Sequence, residues 1–174
     1  PGFCVFSTAE QQLVRDILAR TATITQLTFA EVGETGGSTG QLRFGVSQQA
    51  ASKGQTMLPG TGGEQAGDVW MDIESMAGIA PGTEGYQALL HEVGHALGLR
   101  HPRNVDPGDA WALQVREQDD RTALTVMSQV PSVDGLFRSD WGPLDVLALR
   151  YLYGSRNANT DDTTYRLGAR ESTA

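Results

Sequence analysis

All three histidines of this chain fall within one stretch, His91-Glu92-Val93-Gly94-His95-Ala96-Leu97-Gly98-Leu99-Arg100-His101. Few patterns restrict local folding as tightly. His91 and His95 are spaced to share one face of a helix, roughly 6 Å apart along its axis. Imidazole nitrogens on that face reach one ion at about 2.0–2.1 Å. Gly98 tolerates positive φ and suits the end of a helix, and Pro102 resists helical continuation. The chain is therefore expected to turn at Gly98 and carry His101 back to the same point. Three neutral imidazoles with one open position form the ligand set of a catalytic zinc. Glu92 leaves the helix about 100° round from His91, too far for a third ligand. It can still approach a water at the open position, as a general base.

Two plainer readings compete. Histidines on a helix can be surface groups or satisfied core groups. A structural zinc with four protein ligands is the other, and Cys4, the only cysteine, would have to close it. Structural sites usually draw on several cysteines, which weighs against that arrangement.

With His91 to His101 and the downstream Thr125-Val126-Met127-Ser128, the chain resembles the metzincin metalloproteases, whose pattern HExxHxxGxxH is followed by a Met-turn. The resemblance implies that Met127 lies beneath the metal as an apolar floor. Within that group the chain looks most like the serralysin branch, bacterial secreted M10 peptidases. His101-Pro102 matches the residue that follows the third ligand there. Gly142-Pro143-Leu144-Asp145-Val146-Leu147-Ala148-Leu149-Arg150-Tyr151-Leu152-Tyr153-Gly154 looks like its last catalytic-domain helix. Residues 27–32 and 67–72 resemble its sheet strands. Three features depart from the family. Gln129 stands where serralysins carry a tyrosine two places after the methionine, so oxyanion stabilisation would fall more heavily on zinc. The family's strand before its first helix is not evident. No calcium-binding nonapeptide roll follows, so the chain reads as a trimmed catalytic domain or a member without the roll.

Composition narrows the partners. The formal charge is −8, and Lys53 is the only lysine, which argues against nucleic acid and anionic membranes. No apolar run has the length needed to span a bilayer. A start at Pro1 with no signal peptide reads as a processed chain. One cysteine excludes an internal disulfide.

Along the chain, Ser7-Thr8-Ala9-Glu10 reads as a capping box, followed by a helix to about Arg20 or Thr21 with Leu13, Val14, Ile17 and Leu18 on one face. Thr23 to Val32 alternates and is rich in β-branched residues, which predicts a strand. A glycine-rich loop, Gly33 to Gly40, precedes a second strand over Gln41 to Val46. Gln55, Thr56, Met57 and Leu58 form a candidate edge strand and, by the family resemblance, a substrate-binding edge; an ordinary solvated edge is the alternative. Gly67 to Ile73 reads as the last strand, and Thr83 as the cap of a helix over Glu84 to Leu97. Residues 102–139 show little periodicity and read as long loops. Within them Pro131 to Arg138 would wall the pocket for the residue after the scissile bond. The last helix starts at Pro143 with Asp140 or Gly142 near its cap, and Leu144, Leu147, Tyr151 and Leu152 as its buried stripe.

The expected fold is α+β: a metzincin-type catalytic domain with a twisted mixed sheet, a long first helix, an active-site helix and a loop-rich lower subdomain ending in a helix. Residues 1–154 form that domain, divided near residue 98, and residues 155–174 are a polar tail or the start of a β-roll. The expected activity is that of a secreted zinc endopeptidase in which Glu92 activates a zinc-bound water. The alternatives are a zinc-containing binding module without peptidase activity and a non-proteolytic hydrolase. Zinc is the expected cofactor. Calcium is compatible with the resemblance, though no residue pattern here shows a site for it. Protein or peptide substrates are the expected partners, and the chain is expected to be a monomer.

Overall fold

A Ser7 hydroxyl and a Glu10 carboxylate start the first helix, α1 (Thr8–Ile24), in the computed structural model, which describes residues 4–33, 39–61, 63–103 and 115–156. The readings placed on residues 1–3, 34–38, 104–114 and the tail beyond 156 lie outside the described residues. The Ser7 N–H donates to Glu10 Oε2 at 2.6 Å, and the Glu10 N–H donates to Ser7 Oγ at 3.4 Å. Val14, Ile17, Thr21 and Ile24 are buried on one face, with Leu13 and Leu18 packed beside them.

The helix runs on through Thr23 and Ile24, and residues 26–33 form no strand, which corrects the strand expected over Thr23 to Val32. The β-branched residues are accommodated by local bonds. Thr21 Oγ1 donates to the Ile17 carbonyl and Thr25 Oγ1 to the Thr21 carbonyl, each at 2.9 Å. Thr21 also accepts from Trp141 Nε1 at 2.9 Å in the core. Burial of Thr21 and Ile24 in register with Val14 and Ile17 thus outweighs β propensity.

The sheet has three strands, β1 (Arg43–Ser47), β2 (Gly54–Thr56) and β3 (Asp68–Asp72), in the order β1-β3-β2. β1 lies parallel to β3 and β2 antiparallel to it, so the sheet is mixed, with β2 at an edge. The last strand in sequence is the central one, and its Val69 and Met71 are fully buried. On the far side of β1, Cys4 pairs with Val46 through main-chain bonds of 2.9 and 2.8 Å.

Helix α2 (Glu84–Ala96) begins at Thr83, whose hydroxyl accepts from the Tyr86 N–H, and packs on β2 and β3. Its Tyr86, Leu89, Leu90 and Val93 join the core. Helix α3 (Pro143–Tyr153) starts at the Gly142 cap with Pro143 in its first turn, as the sequence predicts. Its buried stripe differs. Leu147, Tyr151 and Leu152 are 63%, 89% and 49% exposed, whereas Asp145 and Leu149 are buried. The helix is apolar nearly all round, so periodicity does not choose a face. The choice falls to Asp145, whose carboxylate is drawn inward by main-chain donors. No described helix is long and apolar enough to cross a membrane.

Candidate metal centre

Helix α2 carries His91 and His95 one turn apart, with His91 turned toward Val126, and the chain leaves the helix at Gly98 with φ 86°. The Gly98 N–H donates to the His95 carbonyl at 2.8 Å and the Leu99 N–H to the Gly94 carbonyl at 2.9 Å, a tight helix end that only a left-handed residue closes cheaply. The expected return of His101 follows. His101 Nε2 lies 3.1 Å from His91 Nε2 and 3.1 Å from His95 Nε2.

The outer nitrogens decide what those inner ones can do. His91 Nδ1 donates to the Val126 carbonyl at 2.8 Å, and His95 Nδ1 donates to the Leu99 carbonyl at 2.9 Å. A neutral imidazole has one proton, so both Nε2 atoms present bare lone pairs. Burial lowers the pKa of all three histidines, that of His95 to about 4, and so favours the neutral ring at pH 7. Two lone pairs therefore converge on His101 Nε2, whose single proton could satisfy only one of them. A shared cation relieves that conflict. Nitrogens about 3.3 Å apart are what tetrahedral zinc at about 2.05 Å requires, so the donor set fits a zinc ion. Among the described residues no carboxylate or thiol converges with the three. Cys4 is exposed and stands outside the group, which removes it as a fourth ligand.

The supports behind the histidines come from beyond α2. Asp145, 2% exposed, accepts from Thr125 Oγ1 at 2.5 Å, from the Val126 N–H at 2.8 Å and from the Gly142 N–H at 2.8 Å. Thr125 Oγ1 in turn accepts from the Met127 N–H at 3.1 Å. One carboxylate thus fixes the segment whose Val126 carbonyl sets the direction of the His91 ring. Sequence reasoning did not single out Asp145. Its one signal was a charged residue inside an apolar helix pattern.

Met127 is 2% exposed and lies against Gly94, one residue before His95. A Cβ at Gly94 would stand 2.5 Å from the Met127 sulfur. In an exposed helix a glycine-to-alanine change stabilises by about 1 kcal/mol. Here Gly94→Ala is expected to destabilise by about 1–3 kcal/mol, because overpacking against a buried side chain outweighs propensity. Denaturant titration of that variant reads the sign.

Glu92 is 7% exposed and faces β2. Thr56 Oγ1 donates to Glu92 Oε2 at 2.7 Å and lies 3.1 Å from the Glu92 carbonyl. Burial raises the Glu92 pKa and the Thr56 bond opposes the rise. The edge residues therefore divide. Thr56 turns its side chain to Glu92, Gln55 is exposed, and Met57 continues the ladder by donating to Asp68 and accepting from Gly67. Gln129 is exposed and lines a recess with His101, Pro102, Arg103 and Asp120. In the segment expected to wall a pocket, Val133 and Leu136 are 98% and 63% exposed, while Ser132 is buried and its N–H donates to Thr122 Oγ1 at 2.9 Å.

No protein-family model matches the chain. Over 94% of its length it is similar to curated bacterial proteins: Serralysin A and Serralysin C of Dickeya chrysanthemi, at 28% and 30% identity. Metallopeptidase AprA of Pseudomonas marginalis is 28% identical over the same share. The chain spans 37–38% of the length of these relatives. Their similarity supports a serralysin-like protein, and the small α+β domain with its mixed sheet is compatible with that group.

Proposed function

We propose that this chain is the catalytic domain of a secreted zinc-dependent endopeptidase, with His91, His95 and His101 as metal ligands and Glu92 as general base. The observation that carries the reading is the convergence of three Nε2 atoms, two of them stripped of protons by their outer bonds. The serralysin-like similarity over 94% of the chain supplies the reaction class.

A bound zinc supplies Lewis-acid polarisation of the scissile carbonyl and lowers the pKa of water toward about 7. Glu92 takes the proton of the attacking water and passes it to the leaving amine. Its burial keeps that carboxylate basic. Strand β2 offers the substrate an edge. Lys53 and Met57 bond across to β3, so the alternating main-chain groups of Gly54 and Thr56 face away from it, while the Leu58 carbonyl is taken by Thr61. An extended peptide adds there as a further strand. Residues 131–138, following Met127, would contact the residue after the scissile bond. Protein or peptide substrates, a monomeric state and an extracellular location complete the proposal.

Incubation with a mixed peptide library, read by mass spectrometry, tests it. Cleavage is expected, and a zinc chelator should reduce it more than about 100-fold. Cleavage indifferent to chelation contradicts the reading. Zinc binding without any cleavage would favour a binding module instead.

A further inference from the structure

The Thr56 hydroxyl has a geometry that simple burial of a strand residue does not require. It sits between the carboxylate and the carbonyl of one residue, Glu92, at 2.7 and 3.1 Å. Its one proton goes to the nearer, charged acceptor. Only Oε2 is engaged. Among the described residues Oε1 accepts no hydrogen bond, yet it is not sealed from solvent. One oxygen is thus tied and the other left to accept a proton.

Gly54 completes the arrangement. A Cβ there would stand 2.6 Å from Glu92 Cγ and 3.1 Å from Glu92 Cδ. The Glu92 side chain passes directly over the strand, through space that any other residue would fill. Glutamate has three side-chain torsions, and a loose carboxylate would sample several directions. Contact with Gly54 and the bond to Thr56 leave it one.

We propose that Thr56 is a positioning residue for the hydrolysis reaction: its hydroxyl, fixed on β2, aims the Glu92 carboxylate, and Gly54 keeps open the space that side chain needs. This rests on the endopeptidase reading above. Thr56 thereby has two separate roles. Its main chain faces the free edge and meets the substrate, while its side chain meets the base. Substrate binding and base alignment are therefore separable by substitution.

The test compares Thr56→Val, Thr56→Ser and Gly54→Ala with the native zinc-loaded chain on a quenched fluorescent peptide. Metal-free crystal structures of all four proteins provide an independent readout. Thr56→Val preserves shape and main chain but removes the donor. Its kcat should fall about 10- to 150-fold, the range for one hydrogen bond to a charged group, with KM within about twofold. Thr56→Ser should restore most of kcat, and Gly54→Ala should lower it. Zinc affinity, by chelator competition, should stay within about threefold in Thr56→Val. In the crystals the Glu92 carboxylate should leave its native position in Thr56→Val and Gly54→Ala and keep it in Thr56→Ser. An unchanged kcat in Thr56→Val, or a serine variant as impaired as the valine, overturns the proposal. So does a Glu92 side chain that stays in place without the hydroxyl. If the native chain binds zinc but cleaves nothing, the endopeptidase reading has failed on its own. The crystal structures then still decide whether Thr56 holds Glu92.

Discussion

Replacing Glu92 by alanine is expected to lower kcat for peptide hydrolysis about 100- to 10,000-fold while the chain keeps its zinc. The two halves of that result have separate physical grounds. Glu92 does not converge with the three histidines, so removing it takes away no ligand. The residue is 7% exposed, and burial raises its pKa, which makes it a stronger base than a solvated carboxylate. Truncation also leaves no partner stranded, because the Thr56 hydroxyl still has the Glu92 carbonyl at 3.1 Å. A loss of activity would thus report lost proton transfer rather than lost folding. Metal analysis and steady-state kinetics on one preparation separate these. Full activity in the variant contradicts the assigned role, and zinc loss shows a ligand role instead.

Asp145→Ala is expected to cost about 3–5 kcal/mol of folding stability, a large share of the roughly 5–15 kcal/mol that holds a domain together. Asp145 is 2% exposed, and its carboxylate accepts from Thr125 Oγ1 and from the Val126 and Gly142 N–H groups. Alanine strands the buried Thr125 and Val126 donors and frees the half-buried Gly142 N–H. Asp145→Asn should be milder, since one oxygen remains to accept. The damage should reach the histidine cluster. Val126 presents its carbonyl to His91 Nδ1, so freeing its N–H loosens the ring. Zinc affinity is expected to fall about 10- to 100-fold. Denaturant unfolding and chelator competition measure the two effects. A variant within about 1 kcal/mol of the native chain would mean that water satisfies those donors and that the carboxylate is not the anchor described.

The convergence of the three histidines was legible in the sequence because their geometry is local. A helix fixes His91 against His95, and the positive φ of Gly98 returns His101 within three residues. The Ser7–Glu10 capping box and the Thr83 cap are equally local, and each forms as its spacing predicts. What escaped depends on distant pairing. The strand expected over Thr23 to Val32 is overridden at its start by packing of Thr21 and Ile24 in the core. The exposed Leu147, Tyr151 and Leu152 follow from a helix whose rotation is set by Asp145 and not by its apolar period. Thr56 was legible as part of an edge strand. That its side chain would reach Glu92 depends on how β2 packs against α2, which no local pattern encodes.

One zinc held by His91, His95 and His101 is what we propose makes this chain a peptidase. Titrating zinc into the metal-stripped chain, with bound metal and hydrolysis of a quenched peptide followed together, tests it most directly. No hydrolysis is expected before zinc is added, then a rise in proportion to bound metal and saturation at one ion per chain. Hydrolysis by the stripped chain, or a chain fully loaded with zinc that cleaves nothing, would contradict it.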